Sequence, residues 1–267
     1  MQVDVFFKLL WQDYLAIAPQ AKVIHDLFTE QGERVVNDHV AFRSLSNSPI
    51  DIAHLEPLLI AMGYLVQDEY QFESKKLLAK SYIHNSQAQP KIFLSELQRH
   101  LLSPQSQTIL SALVQQIPVD AASNPKVFSS GLLWLPLSFD DYQVLVEESE
   151  YASWLSTLGL RANHFTVSLN HLQGEPEMQA VIELLDQKGF AMNKAGGTIK
   201  GEPKDLLVQA ATIADKVRVE FSCGTTKQVP SCFYEFARRY PEANGVLFEG
   251  FITNNADKIF ESTHGVS

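Results

Sequence analysis

Apolar residues recur along the chain at two spacings, one typical of helices and the other of strands. Over residues 1–36 they recur every three or four positions, which predicts helices that end near Gly32. At NDHVAFRSL, residues 37–45, the spacing changes to strict alternation, which predicts a strand. A helical segment therefore precedes the first strand.

The order of predicted elements then occurs twice. Residues 37–98 predict a strand, a helix that ends at Met-Gly-Tyr, and about three more strands. Residues 162–239 predict a strand at NHFTVSLN, a helix that ends at Lys-Gly-Phe, and strands at FAMNKAGG, VRVEFSC and CFYEFAR. A fixed order seen twice in one chain indicates a duplicated structural unit. We therefore predict an α+β fold built from two modules of strand, helix and further strands.

The two modules are separated by an insert whose pattern is helical at SPQSQTILSALVQQI and DDYQVLVEESEYASWLSTLG. Composition does not shift at either end of this insert, so we do not divide the chain into independent domains. The prediction is one compact domain over residues 1–267. Its parts are the first module (37–98), the helical insert (99–161), the second module (162–239) and a C-terminal segment (240–267), with added helices before the first module.

Composition and charge exclude several classes of protein. The chain has 267 residues, 45% hydrophobic and 19% charged, and its net charge of −10 argues against a nucleic-acid-binding protein. No segment approaches the roughly 20 apolar residues of a membrane helix, and the N-terminus lacks signal-peptide features. Two cysteines, Cys223 and Cys232, cannot form a disulfide framework and are predicted to be small buried residues. We expect a cytoplasmic protein that binds neither nucleic acid nor membrane.

Each module opens with a histidine on the polar face of its first strand. His39 and Arg43 share one face, opposite the apolar Val40 and Phe42. In the second module His164 likewise lies opposite the apolar residues of its strand. A lone histidine on a strand is usually structural, but a matched pair also fits a metal site, and the residues alone leave both roles open. The other histidines are predicted to be structural; they are His25, His54, His84, His100, His171 and His264.

A carboxylate lies on the last predicted strand of each module. In the second module Glu235 alternates with Phe233 and Ala237, and in the first module Glu96 has the corresponding place. Glu220 is an alternative to Glu235, on the other face. Two neutral imidazoles and one anionic oxygen, with other positions left open, form the facial triad of non-haem Fe(II) oxygenases. Glu96 as a fourth protein ligand would instead favour a glyoxalase-like isomerase or lyase, or a metallohydrolase. A non-catalytic small-molecule binding protein is a third hypothesis.

Arg43 has two interpretations. It can be an edge arginine that extends to solvent, or a planar, bidentate partner for a substrate carboxylate next to the metal. The segment GGTIKGEPKD, residues 196–205, contains two lysines and three glycines but no phosphate-binding motif. We interpret this segment as either a lid or a hairpin loop.

Four segments together resemble the 2-oxoadipate dioxygenase/decarboxylase family, also called the hydroxyglutarate synthase family. They are DHVAFRSL, ESEYASWLSTLGLRANHFTVSLN, VPSCFYEFARR and LFEGFITNNADKIFEST, and the resemblance extends from about residue 5 to residue 264. It implies a fold like that of the vicinal-oxygen-chelate superfamily, in which paired βαβββ modules form curved sheets around a metal. It implies His39, His164 and Glu235 as metal ligands. It also implies that the catalytic and substrate-binding arginine is Arg43, and that His164 borders the substrate.

The resemblance further implies the reaction. The cofactor would be Fe(II), for which Zn, Ni or Mn can substitute in a purified sample. The partners would be O₂ and a small 2-oxo dicarboxylic acid such as 2-oxoadipate. Oxidative decarboxylation of this acid would give 2-hydroxyglutarate and CO₂.

Overall fold

Helices and strands are mixed along the chain, as expected for an α+β fold. The computed structural model describes residues 1–86 and 88–263. The helices are α1 (Val3–Ile17), α2 (Pro19–Glu30), α3 (Ile52–Ile60), α4 (Pro104–Val114), α5 (Phe139–Glu148), α6 (Glu150–Leu158), α7 (Met178–Gln187) and α8 (Thr253–Ile259). The strands are β1 (Asn37–Leu45), β2 (Tyr64–Phe72), β3 (Leu77–His84), β4 (Lys91–Leu97), β5 (Ala162–Ser168), β6 (Leu207–Ala211), β7 (Lys216–Glu220), β8 (Thr226–Pro230) and β9 (Phe233–Arg239). The predicted fold class is confirmed.

One curled sheet of seven strands contains both modules, in the order β2-β3-β4-β1-β5-β9-β6. In each module the first strand is parallel to the last, since β1 pairs with β4 and β5 pairs with β9. The two first strands pair with each other in antiparallel orientation at the centre of the sheet. The two predicted histidine strands are therefore direct neighbours.

The apolar face of the two central strands packs against the N-terminal and inserted helical segments. The Phe42 ring lies 4.9 Å from the Phe128 ring, and the Phe165 ring lies 5.0 Å from the rings of Trp11 and Tyr14. This packing buries the aromatic side chains on one side of the sheet. The opposite side, which carries the histidines, is left to form the concave inner face.

The second module departs from the predicted strands. Residues 190–197 do not form a strand and make only an isolated bridge, Met192 to Thr212. The predicted strand VRVEFSC forms β7, which pairs with β8 in a separate two-stranded hairpin. Strand β6, which pairs with β9, was not predicted. Its five residues are all buried, so it lacks the alternation that identifies a half-buried strand.

The inserted helix predicted over residues 140–159 is broken at Ser149. This residue has extended backbone angles, φ −152° and ψ 106°, and separates α5 from α6. Its hydroxyl accepts a hydrogen bond from the amide of Ala152, 3.2 Å away, which caps the N-terminus of α6. The break places Glu150 at the first position of α6, close to β1.

The segment 196–205 lies beside β6 at the edge of the sheet, where Lys200 and Gln209 form an isolated antiparallel bridge. Lys200 is buried, and its ammonium group donates to the carbonyl oxygen of Asn193 at 2.6 Å. Gly201 has φ +78°, and a Cβ atom there would lie 2.4 Å from the carbonyl oxygen of Leu207 and 2.6 Å from the amide nitrogen of Asn255. A side chain at this position would therefore separate the segment from α8.

Helix α8 and the turn Phe260–Thr263 lie across the concave inner face. The chain reaches them through residues 248–251, which Arg239 holds by donating to the carbonyl oxygens of Phe248 and Gly250, at 2.9 and 2.7 Å. Among the described residues, no helix has the length and apolar character that a bilayer crossing requires.

Candidate metal centre

Three side chains predicted to act together meet on the inner face of the sheet. The potential ligand atoms of His39, His164 and Glu235 all lie within 4.8 Å of one another, and all three residues are buried. Nε2 of His164 is 3.1 Å from Oε2 of Glu235, and Nε2 of His39 is 3.7 Å from Oε1. No other group of three or more His, Cys, Asp or Glu residues with this geometry occurs in residues 1–86 and 88–263.

Strand register explains why these three residues meet. His39 pairs with Thr166 across the central antiparallel pair, and Ala41 pairs with His164. Thr166 in turn pairs with Glu235 in the parallel pair of β5 and β9. Paired residues point to the same face of a sheet, so three adjacent strands each contribute one side chain to the same point.

Both histidines are oriented by the residue that precedes them. Nδ1 of His39 lies 2.8 Å from Oδ1 of Asp38, and Nδ1 of His164 lies 3.0 Å from Oδ1 of Asn163. Because these oxygens accept hydrogen bonds, Nδ1 carries the proton in each ring and Nε2 keeps its lone pair. The lone pair of His164 then lies on the side of Glu235, whereas that of His39 accepts a hydrogen bond of 3.0 Å from the hydroxyl of Thr166, which a bound metal would have to displace.

The carboxylate of Glu235 has the properties of a metal ligand. Oε1 accepts a hydrogen bond of 2.6 Å from Gln209, whereas Oε2 is buried without a hydrogen-bond partner. Burial raises the pKa of Glu235, but the two histidines and Gln209 outweigh it, so the pKa lies below its usual value. Burial lowers the pKa of His164, which favours a neutral ring. An ionised carboxylate with a free oxygen and neutral imidazoles fit a divalent cation.

Arg239 supports the cluster through Asp38. Its Nε and Nη2 atoms lie 2.7 and 2.9 Å from the two carboxylate oxygens of Asp38, which also contacts His39. Burial alone would raise the pKa of Asp38, but Arg239 and His39 hold it well below its usual value. Neither Asp38 nor Arg239 was predicted as a site residue. The available signal was the Asp-His and Asn-His pair that opens the two modules.

Asp38→Asn is expected to weaken both the fold and the metal site. The substitution keeps an oxygen beside His39 but removes the hydrogen-bonded counter-ion of the buried Arg239, at a cost of about 3–5 kcal/mol in the free energy of unfolding. We expect metal affinity to fall by roughly 10- to 100-fold, as for other residues that orient a ligand. Denaturant unfolding of metal-free protein and metal titration measure the two effects. Asp26→Asn, which removes an exposed partner of Lys22, is the control; equal stability of both variants would contradict the prediction.

Arg43 is buried next to the cluster, which excludes the solvent-exposed interpretation. Its Nη1 donates to Oε1 of Glu150 at 2.7 Å, and its Nη2 donates to Oγ1 of Thr263 at 2.9 Å. The guanidinium carbon lies 4.8 Å from the centre of the Tyr151 ring and 4.9 Å from that of Trp154. The charge of Arg43 also contributes to the lowered pKa of His164. The guanidinium is therefore within electrostatic range of the cluster.

The cavity at the cluster is small. Its volume is about 20 Å³, enough for an ion or a water molecule but not for a 2-oxo acid. Its wall is formed by His39, Phe93, His164, Gln209, Glu235, Phe251, Ala256, Ile259 and Phe260. Arg43 is not among these residues, contrary to the expectation that it lines the metal cavity, because Phe260 lies on that side of the guanidinium.

Helix α8 is linked to the cluster as well as covering it. The side-chain amide of Asn255 donates to Oε1 of Gln209 at 3.2 Å, and Gln209 donates to Glu235. The C-terminal segment therefore contacts both ends of the site, through Asn255 near the cluster and through Thr263 at Arg43.

Glu96 is not a fourth ligand in this structure. Its Oε2 accepts a hydrogen bond of 2.8 Å from the amide of Ile52 at the N-terminus of α3. Phe93 has the position equivalent to Glu235. Phe93 pairs with Ala41, two residues after His39, and Glu235 pairs with Thr166, two residues after His164. Glu96 is an odd number of residues from Phe93, so its side chain points to the opposite face.

Other sequence-based expectations have mixed outcomes. Glu220 lies on β7, outside the main sheet. Cys232 is buried as predicted, but Cys223 is exposed, because it lies in the turn between β7 and β8. His25, His54, His84, His100 and His171 do not belong to the cluster. His264 lies outside the described residues.

The two modules share one curled sheet, and two histidines and a carboxylate lie where they meet. These features define a class of α+β proteins suited to metal-dependent catalysis. A family model described as 2-oxoadipate dioxygenase/decarboxylase matches residues 12–244. The chain belongs to this family and is therefore an enzyme of the oxidoreductase type.

Of three individual relatives, the two from rice carry the names of this family. The chain is 32% identical to the 2-oxoadipate dioxygenase/decarboxylase, chloroplastic/amyloplastic, of Oryza sativa subsp. japonica, over 97% of the chain and 79% of that protein. It is 31% identical to a crystal structure of hydroxyglutarate synthase from Oryza sativa in complex with 2-oxoadipate, with a TM-score of 0.92 over 98% of this chain and 91% of that one. A proposed hydrolase from Shewanella frigidimarina NCIMB 400 is 42% identical, with a TM-score of 0.89 over 94% and 98% of the two chains.

Proposed function

We propose that the chain is a non-haem Fe(II)-dependent dioxygenase that decarboxylates a 2-oxo dicarboxylic acid. For 2-oxoadipate, one O₂ would be consumed, and the products would be 2-hydroxyglutarate and CO₂, which together contain both oxygen atoms. The observation that carries the proposal is the set of three protein ligands, with Phe93 in the place of a fourth. The rice relative bound to 2-oxoadipate supports the choice of substrate.

The donor set favours iron over metals that prefer four protein ligands. Two imidazole nitrogens and one carboxylate oxygen leave positions for a chelating 2-oxo acid and for O₂. When bound, Fe(II) supplies the redox chemistry with O₂ and a Lewis acid for the 2-oxo carboxylate. Zn, Ni or Mn would compete for the same ligands in a purified sample, because affinity alone does not select iron.

The protein's own groups hold and orient the substrate. His39, His164 and Glu235 would fix the metal and hence the 2-oxo end, with the ring of His164 bordering the substrate. Arg43 would bind the distal carboxylate by charge-assisted hydrogen bonds in a site with little access to water. The Cα atoms of His39 and Arg43 are about 13 Å apart along the strand, a span that the long arginine side chain and a short dicarboxylic acid can cover together.

Substrate entry requires a change in the cover of the site. The cavity of about 20 Å³ cannot hold a 2-oxo acid, and its outer wall includes Ala256, Ile259 and Phe260. We infer that α8 and the turn after it move outward to admit substrate and then exclude water. Exclusion of water strengthens the electrostatic interactions within the site.

Arg43→Lys is expected to keep metal binding and to lose activity toward dicarboxylic substrates. Lysine offers one point charge where the guanidinium offers a planar pair of donors. Loss of one charge-assisted hydrogen bond corresponds to about 1.5–3 kcal/mol, or roughly a 10- to 150-fold decrease in kcat/KM. The measurement is O₂ uptake and CO₂ release with Fe(II) and a series of 2-oxo acids of increasing chain length.

The exposed Arg218 of the β7–β8 hairpin provides the control, because Arg218→Lys makes the same chemical change far from the cluster. An unchanged rate in Arg43→Lys would remove Arg43 from the substrate site. Absence of O₂-dependent turnover of any acid by the wild-type protein would refute the dioxygenase proposal.

A metallohydrolase or glyoxalase-like activity is the second candidate, because the Shewanella relative is a proposed hydrolase. Such an activity would proceed without O₂, so the same substrates under anaerobic conditions distinguish the two. A protein that takes up none of Fe, Zn, Ni or Mn would instead favour non-catalytic binding. Cytoplasmic location stays a prediction, since the rice relative is named as a plastid protein.

A further inference from the structure

The buried guanidinium of Arg43 already has a carboxylate partner, Glu150. We propose that Glu150 determines specificity, as an internal competitor that weakens binding of a second carboxylate at Arg43. This inference rests on the proposed function, in which Arg43 binds the distal carboxylate of the substrate.

Arg43 is the fixed member of the ion pair. Its side chain is 1% exposed and lies against the aromatic rings of Tyr151 and Trp154. Thr263 holds one terminal nitrogen, and Nε is buried without a hydrogen-bond partner. The guanidinium therefore cannot turn toward solvent, but it retains a donor for a further acceptor.

Glu150 is the member that can move. Its side chain is 13% exposed and borders a hollow of about 330 Å³ between the inserted helices and the end of β8, together with Glu147, Trp154 and Thr263. The backbone of Glu150 is fixed at the start of α6 by the cap at Ser149. Rotation of the side chain into this hollow would bring its carboxylate into contact with water without unfolding the helix.

Charge balance explains why the competition matters. Arg43 and Glu150 together are neutral, so a distal carboxylate adds an uncompensated negative charge unless Glu150 withdraws. Like charges in a region of low dielectric repel strongly, and the cost falls on substrates with a charged tail. A 2-oxo acid with an apolar tail adds no such charge and leaves the ion pair intact. Glu150 thus sets how strongly the enzyme prefers dicarboxylic over monocarboxylic acids.

Glu150→Gln tests the inference, because glutamine keeps an oxygen acceptor for Nη1 and removes only the charge. We expect KM for a dicarboxylic 2-oxo acid to fall about tenfold, as expected when a like charge about 5 Å away is removed. KM for a monocarboxylic 2-oxo acid of equal length should not change, and kcat should not rise for either. Glu147→Gln removes a charge from the same hollow without contacting Arg43 and should leave both KM values unchanged.

A second measurement does not depend on turnover. Trp154 lies against Arg43 and borders the hollow, so its fluorescence should report occupation of this region. In Zn-loaded protein, 2-oxoadipate should bind about tenfold more tightly to Glu150→Gln than to the wild type, whereas 2-oxohexanoate should bind equally to both. Trp154→Phe establishes which part of the signal comes from this residue.

The outcomes separate this inference from the proposed function. If the wild type shows O₂-dependent turnover and Glu150→Gln binds the dicarboxylate no more tightly than the wild type, the role of Glu150 is wrong and the dioxygenase proposal stands. Tighter dicarboxylate binding by the variant, without O₂-dependent turnover by either protein, would support the role of Glu150 and refute the dioxygenase proposal.

Discussion

Glu235→Gln is expected to abolish metal binding while the metal-free protein stays folded. Glu235 supplies the only carboxylate of the cluster in the described part of the chain, and an amide is a far weaker ligand for a divalent cation. We expect the metal affinity and kcat/KM to fall by more than about 100-fold, beyond the 10- to 100-fold typical of residues that only orient a ligand. The measurements are anaerobic Fe(II) titration and O₂ uptake.

The fold should tolerate this change for a specific reason. The new amide oxygen can accept from Gln209 as Oε1 does, and the amide nitrogen can donate to Nε2 of His164, which is 3.1 Å from Oε2. The pKa of Glu235 lies below its usual value, so the fold favours the ionised carboxylate, and its loss should lower the free energy of unfolding only modestly because both contacts are replaced. Glu220→Gln on the β7–β8 hairpin is the control. A Glu235→Gln variant with wild-type metal content would show that the cluster is not the metal site.

Phe93→Glu is expected to keep metal binding and to lose O₂-dependent turnover by at least about 100-fold, the loss typical of a misplaced catalytic group. The position is the counterpart of Glu235 in the first module and lines the cavity at the cluster. A carboxylate there can serve as a fourth protein ligand, which occupies a position that the chelating acid or O₂ requires. The Co(II)-substituted protein should show the altered coordination in its visible absorption spectrum.

Phe93→Leu separates coordination from packing. The Phe93 ring contacts those of Tyr70, Phe72 and Phe251, so either substitution removes aromatic contacts. The leucine variant should lose part of this packing but keep turnover within about tenfold of the wild type, because it adds no ligand. If both variants lost turnover equally, the proposal that Phe93 keeps a coordination position open would be wrong.

The sequence predicted the fold correctly where the pattern of apolar and polar residues reflects which side chains are buried. The strands of His39 and His164 alternate because one face packs against aromatic residues while the other faces the cavity, and alternation predicts such faces directly. The order of elements repeats because each module forms one side of the sheet, with four strands from the first and three from the second. These two signals were enough to predict the fold class and to place both histidines on the same side.

Pairing between distant strands could not be derived from the sequence. Glu96 and Glu235 both lie on the last strand of a module, and only the register shows that Phe93 is the counterpart of Glu235. The surroundings of Arg43 raise the same difficulty, because its partners Glu150 and Thr263 are 107 and 220 residues away in the chain. No local pattern encodes contacts over such separations.

The cover formed by α8 has a consequence for biosynthesis. Glu235, the last of the three candidate ligands, leaves the ribosome about 18 residues before the first residue of α8, the helix that closes the cavity. At roughly 5–20 residues per second, this corresponds to about 1–4 s during which the three side chains lack their cover. Metal ions could reach the histidines freely throughout this period. The metal first captured would then depend on which ions the surrounding compartment supplies during translation.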